Sequence, residues 1–238
     1  GDIDVFRNVE LVRFADGAYS VVNGALAFDG STFVTADIAA SSDTGSSNTD
    51  NITSDTTPTI TGTGEAGSAV VLTTAAGVVL GKATVAADGS YSITVPADKA
   101  LGAGAQTLTI TATDASGNVA KSTQNITVDV AAPTVSVNSV VTNDSSPALS
   151  GTIDDTTATV KVTIEGVSYS AVNNGNGTWT LADNTINNLD SVGVHDITVT
   201  AEDLAGNAIV ETTVNALNVY KITDLGGNGD TLATFKLT

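Results

Sequence analysis

Thr53-Ser54-Asp55-Thr56-Thr57-Pro58 returns as Thr142-Asn143-Asp144-Ser145-Ser146-Pro147, 89 residues further along the chain. Gly62 returns as Gly151 at the same offset, and Asp114-Ala115-Ser116-Gly117-Asn118 returns as Asp203-Leu204-Ala205-Gly206-Asn207. Between them, Asp88-Gly89-Ser90-Tyr91 answers Asn176-Gly177-Thr178-Trp179 at an offset of 88. Four landmarks in one order define a module of about 90 residues present twice, and a fixed period of this kind marks a repeat architecture.

Inside each module the pattern alternates every second residue. Thr107-Leu108-Thr109-Ile110-Thr111-Ala112 puts Leu108, Ile110 and Ala112 on one face and threonines on the other, and Asp196–Ala201 does the same. This is the pattern of half-buried strands. Further strands are expected at 58–63, 69–73, 78–85, 91–95, 119–128, 134–140, 147–152, 159–165, 178–181 and 209–214, each bounded by Gly, Asn, Asp or Ser turns. No segment has a helical period. About seven short strands in each ~90 residues predict an immunoglobulin-like sandwich. The fold class is therefore all-β: two tandem immunoglobulin-like β-sandwiches with short flanking β segments. The expected boundaries are 1–36 for a short β segment, 37–129 and 130–218 for the sandwiches, and 219–238 for a C-terminal β/turn extension.

The composition narrows the chemistry. The chain has 238 residues and no Cys or Met; 26 acidic residues against 8 basic ones give a net charge of -18. Such a polyanion repels nucleic acid and anionic membranes, and no apolar stretch is long enough to span a bilayer. Five acids are Glu and 21 are Asp, most of them beside Gly, Asn, Ser or Thr. Short carboxylates on tight turns suit a hard cation with oxygen ligands; acidity also keeps a chain soluble. Without disulfides an extracellular chain needs other reinforcement, and bound Ca2+ would supply it. With no signal peptide at Gly1, the sequence reads as a segment of a longer polypeptide.

Three motifs carry a family resemblance: the entry stretch Ser42–Pro58, Ile60-Thr61-Gly62-Thr63-Gly64-Glu65-Ala66-Gly67, and the Asp-x-x-Gly-Asn turn at Asp114 and Asp203. Together, over about 37–215, they resemble the bacterial Ig-like domains of very large RTX, type I-secreted adhesins. Residues 1–20, with Asn8–Gly17, look like the segment that closes an RTX calcium β-roll. Gly226–Leu232 resembles the glycine-rich calcium nonapeptide, but occurs once with its Asp one position early, and reads as a turn. The resemblance implies a secreted, modular cell-adhesion protein on the bacterial surface, serving biofilm or host attachment and stiffened by calcium. Its partners would be neighbouring repeats of the same polypeptide, and a cell-surface ligand reached through other domains; the chain itself would be a monomer.

The acidic turns are the candidate metal ligands. In a sandwich whose first strand starts where the last two strands turn, Asp114 should gather with Asp43, Asp50 and Asp55. Asp203 should likewise gather with Asp144 and Asp129. Glu65 should lie at the opposite pole, near Asp129, whose linker Asp129-Val130-Ala131-Ala132 echoes Asp37-Ile38-Ala39-Ala40. Asp129 would then bridge Glu65 to Asp144 and Asp203 through an interdomain ion. Each Asp also reads as a turn former bonding its own backbone.

Other signals are bland. His195, the single histidine, reads as structural, and Trp179 and Tyr91, at matching positions, read as core. No Ser-His-acid arrangement is defensible and no carboxylate pair sits in an aromatic cleft, so the chain reads as no enzyme. The leading function is a calcium-stiffened spacer; the alternatives are a sugar- or protein-binding module and an accessory spacer of a secreted hydrolase.

Overall fold

In the computed structural model, residues 32–187, 189 and 192–221 are described, together with the backbone of three strands before them. Those three, β1 (Leu11–Phe14), β2 (Gly17–Val22) and β3 (Ala25–Phe28), form an antiparallel meander. Of the RTX-like stretch, Asn8–Glu10, Ala15 and Asp16 lie outside the described residues, as does Gly226–Leu232. By contact density the chain divides into two compact units, residues 1–132 with 202–208, and residues 133–201 with 209–238.

The first repeat contains β4 (Asp37–Ile38), β5 (Ile52–Thr53), β6 (Thr59–Thr63), β7 (Ala69–Thr74), β8 (Val79–Thr84), β9 (Ser90–Thr94), β10 (Gly104–Thr113) and β11 (Val119–Val128). They form a five-stranded sheet, β5-β11-β10-β7-β8, and a three-stranded sheet, β4-β6-β9. All neighbours are antiparallel except β5, which runs parallel to the end of β11. The only helical turn among the described residues is Ala97–Lys99, and none is long and apolar enough to cross a membrane.

The second repeat contains β12 (Val140–Thr142), β13 (Leu149–Thr152), β14 (Thr159–Ile164), β15 (Val167–Asn173), β16 (Thr178–Leu181), β17 (Gly193–Glu202) and β18 (Ala208–Val219). Here all seven strands form one sheet, because β15 curls far enough to pair with β16 as well as β14. The expected strand at 134–140 is instead an isolated bridge from Val135 to Ile153, with regular pairing starting at Val140. Strand β15 was not expected; it lies between β14 and β16, but Val167 and Val172 are exposed while the partly buried Tyr169 and Ala171 meet the core, so its most apolar residues do not mark the core face.

The period-two pattern maps directly onto burial. Leu108, Ile110 and Ala112 are fully buried in the first core, and Ile197, Val199 and Ala201 in the second. A strand sends alternate side chains to opposite faces, so the intervening threonines face outward.

One contact recurs in both copies and ties the entering chain to the sandwich. Tyr91 on β9 crosses Gly62 on β6 and its hydroxyl donates to the carbonyl of Thr35. Trp179 on β16 crosses Gly151 on β13 and its Nε1–H donates to the carbonyl of Ser136 at 2.8 Å. A Cβ at residue 62 would lie 2.1 Å from that Thr35 oxygen, and one at residue 151 would lie 1.8 Å from the Ser136 oxygen. The Gly62/Gly151 and Tyr91/Trp179 matches are thus one device, in which glycine leaves room for an aromatic to reach a third segment.

Gly151→Ala should destabilise the second sandwich by about 3 kcal/mol, the upper range for forced overpacking. Because Trp179 is the sole tryptophan, its fluorescence during urea unfolding reads that sandwich alone. Tyr91→Phe, which strands the Thr35 carbonyl, should cost about 1 kcal/mol, and should leave the Trp179 transition where it was.

Candidate cation site

Strand pairing sets which acids can meet. The β10–β11 hairpin closes at Asp114–Asn118, while its open end pairs Gly104 with Val128. At that open end Thr127 and Val128 pair with Ile52 and Thr53, and Asp129 N donates to Thr53 O at 2.8 Å. Asp43, Asp50 and Asp55, which flank β5, therefore share the end of Asp129. Asp114 lies beyond the other end of ten-residue β11, about 30 Å away at the usual rise per residue. Glu65 lies at the Asp114 end, because Ser68 N bonds Glu65 O and the adjoining Ala69 pairs with Thr113.

This corrects the expected grouping. Asp114 does not join Asp43, Asp50 and Asp55, and Glu65 does not approach Asp129. The reason is that the entering chain first runs the length of β6 as an edge segment. It turns at the far end and only then forms β5. The second repeat repeats the lesson: Asp144 follows β12, which pairs with Leu217–Val219, whereas Asp203 precedes the first residue of β18. Asp144 and Asp203 thus stand at opposite ends of that strand.

The linker echo also dissolves. Thr35 N bonds Thr63 O as Ser136 N bonds Thr152 O. Asp37, paired with Thr61, therefore matches Asn138, whose N–H bonds Ser150 O, and does not match Asp129. Eighteen positions separate Asp37 from Asp55 and six separate Asn138 from Asp144, so the first entry loop is twelve residues longer.

Most of the candidate carboxylates are engaged by their own turns. Asp114 Oδ1 accepts from Ser116 N and Asn118 N, both at 2.8 Å, and Oδ2 from Asn118 Nδ2 at 2.7 Å. Asp203 is held the same way by Asn207 N and Nδ2, and that Nδ2 also donates to Asp129 O at 2.9 Å, which brings Asp203 and Asp129 together within the first unit. Asp55 caps Thr57, Asp144 caps Ser146, Asp50 caps Ile52 and Asp129 caps Ala131. The Asn118 amide, with backbone donors, holds the Asp114 carboxyl below the usual range, since hydrogen bonds to the charged form favour ionisation.

Asp43 differs. It is 3% exposed; Oδ2 accepts from Asn51 N at 3.2 Å, and Oδ1 is buried with no hydrogen-bond partner. Burial, and then the charges of Asp50 and Asp37, push its carboxyl above the usual range. A buried carboxylate oxygen without a donor costs free energy until a proton or cation meets it. Glu65 Oε2 is also buried and unmet, at the other end of the sandwich. Among the described residues no group of three or more His, Cys, Asp or Glu side chains converges. Any cation at Asp43 would draw the rest of its shell from backbone and hydroxyl oxygens.

Sequence reading passed over the residues that shape this end. Thr53, fully buried, donates to Ser42 O and accepts from Asp55 N. Thr44 Oγ1 lies 3.0 Å from Ser54 Oγ and donates to Ala205 O at 2.6 Å. Asn207 and Asn118 had a visible signal, an Asn four residues after each turn-forming Asp. Thr44 had none.

The family comparison agrees with the fold. Residues 31–130 and 134–220 each match the model of the bacterial Ig-like domain, and the chain belongs to that family. No curated protein sequence matches it. Among solved structures, a bacterial ice-binding adhesin described as 1.5 MDa is 23% identical, over 79% of this chain and 65% of that one, with a TM-score of 0.40. A Ca2+-stabilised adhesin with which an Antarctic bacterium binds ice is 24% identical, over 79% and 49%, with a TM-score of 0.40. A tetra-tandem repeat from the extending region of a large adhesion protein is 27% identical, over 79% and 50%, with a TM-score of 0.35. The chain thus spans about half to two thirds of the length of these three structures.

The raised carboxyl at Asp43 carries a sign. Its ionised form is disfavoured in the fold, so the penalty is absent in acid and grows as pH rises from the ordinary aspartate range through the raised value. In chelator, Asp43→Asn should therefore melt higher than the parent at pH 7, and the gap should close on acidification. A gap independent of pH would show that Asp43 ionisation is not the cause. Asp114 has the opposite sign: its stabilisation is present at neutral pH and is lost as pH falls below the ordinary range.

Proposed function

We propose that this chain is a non-catalytic spacer segment of a large bacterial surface adhesin, stiffened by calcium and lying outside the cell. The observation that carries the reading is Asp43: a buried carboxylate with an open oxygen, beside Asp50 and Asp37, on the loop at the end where β11 leaves the first sandwich. Calcium accepts irregular shells of six to eight oxygens, including backbone carbonyls. Asp43 fits as a ligand because its oxygen lacks a donor, and backbone and hydroxyl oxygens of the surrounding loop would complete the shell. Asp55, Asp114, Asp144 and Asp203 serve as turn closers. The bound ion would supply positive charge against the crowded carboxylates of that end.

Spacing, and not ligand capture, is supported by the two copies of one sandwich and by their aromatics. Tyr91 and Trp179 are buried, Tyr169 and Tyr220 are partly covered, and Phe33 is exposed alone. No exposed aromatic platform for a sugar forms among the described residues. The partners fitting this reading are neighbouring repeats of the same polypeptide.

Calcium titration of the full chain, followed by thermal melting and small-angle scattering, tests this. Extracellular modules bind calcium at roughly 10⁻⁴–10⁻³ M, and tenfold excess over the dissociation constant adds ~1.4 kcal/mol. The first sandwich should gain roughly 5–10 °C, with most of the gain lost in Asp43→Asn. A melting point and maximum dimension that both ignore calcium would remove the metal from the proposal.

A further inference from the structure

The two Asp-x-x-Gly-Asn turns have the same internal wiring and different surroundings. In each, the Asp N–H bonds the Asn carbonyl, the Gly N–H bonds the Asp carbonyl, and the Asn amide caps the Asp carboxylate. The Asp203 turn is seated. Ala205 is 1% exposed, Thr44 Oγ1 donates to its carbonyl, and Asn207 Nδ2 reaches Asp129 O. Gly45, at φ +94°, leaves no space there: a Cβ would stand 1.9 Å from Leu204 O, and one on Gly206 would stand 3.0 Å from Gly45 Cα. The seat is Thr44-Gly45 on the long entry loop plus the carbonyl ending β11, all inside the first compact unit.

The Asp114 turn is bare. Ala115, Ser116 and Gly117 are exposed, and among the described residues nothing lies within 4 Å of a Cβ built on Gly117. The repeat aligns Ser116 with Ala205, Gly117 with Gly206 and Asn118 with Asn207. The bare turn therefore offers the same backbone carbonyls, the same glycine and the same spare amide hydrogen that the seated turn uses.

We infer that the Asp114–Asn118 turn is a docking knob for another bacterial Ig-like repeat whose exit end carries a Thr-Gly entry loop of the Thr44-Gly45 kind. The second repeat cannot supply that seat, since its entry loop is twelve residues shorter and has no counterpart of Thr44 or Gly45. The knob thus selects its neighbour by loop length: a first-type repeat fits and a second-type repeat does not. This deepens the spacer reading by naming the partner and owes nothing to calcium.

The absence of cysteine makes a single introduced thiol unique. In the full chain, Ser116→Cys should react rapidly with a maleimide; a slow reaction would mean that the knob is already covered and would overturn the inference. A second copy of residues 31–132 is then joined ahead of residue 32, preserving the spacing that links the two natural repeats. Residue 116 of the following copy should become at least tenfold slower to label, in chelator as in calcium. Thr44→Val with Gly45→Val in the leading copy should restore the fast rate, with the circular-dichroism melt of the substituted 31–132 repeat confirming that it stays folded. A leading copy of residues 133–223, which keeps the same linker length, should give no protection. Equal rates with either leading repeat, or protection that survives the double substitution, would refute loop-selected docking. Protection seen only in calcium would transfer the effect to the metal and likewise sink it.

Discussion

Two residue pairs, Ile52 with Thr127 and Thr53 with Val128, decide the layout of the first sandwich. They are the only parallel pairing in it, and parallel neighbours need a long connection between them. Here that connection is nearly the whole domain, so the pairing brings its entry strand and its exit strand to one end. The long loop before β5, the buried Thr53 hydroxyl and the carbonyl of Asp129 all converge there as a consequence. The second repeat keeps the constraint with three pairs, Val140–Thr142 against Leu217–Val219, and omits the loop.

Much of this was legible in the residues. The 89-residue offset, the Thr-alternating strands and the Gly62/Tyr91 and Gly151/Trp179 matches are local patterns, and each appears as a structural element or contact. What escaped reading was long-range. Which pole holds Asp43 depends on whether the entering chain crosses before or after its first pairing, and no local propensity encodes that choice. The apparent kinship of Asp37-Ile38-Ala39-Ala40 and Asp129-Val130-Ala131-Ala132 is a composition match without a shared hydrogen-bond position. Only the ladders to Thr61 and Ser150 reveal that Asp37 answers Asn138. Strand β15 escaped for a different reason: its valines, Val167 and Val172, are exposed, and the residues that meet the core are Tyr169 and Ala171, so its apolar residues do not mark the inside.

The surplus of aspartate has a double meaning. At eight of the fourteen described positions the short carboxylate accepts backbone N–H groups two to four residues ahead, which is turn chemistry and disperses negative charge along the chain. Asp43 departs from that use because its neighbours fold over it: Asn51 takes one oxygen and burial strands the other. The same residue type thus serves as punctuation at Asp55, Asp114, Asp144 and Asp203 and as an electrostatic liability at Asp43. The difference arises from the loop around it and is invisible in the residue itself.

The aromatic that crosses a glycine to reach Thr35 or Ser136 has a mechanical side. Residues 32–39 lie antiparallel along β6, so tension applied to the incoming chain would draw them lengthwise past their neighbour. Bonds crossed by such sliding share the pull at the same instant, unlike those of a hairpin peeled from its tip, which fail singly. Tyr91 and Trp179 add one more bond to that shared set at the very segment where force would enter, and do so without lengthening the strand.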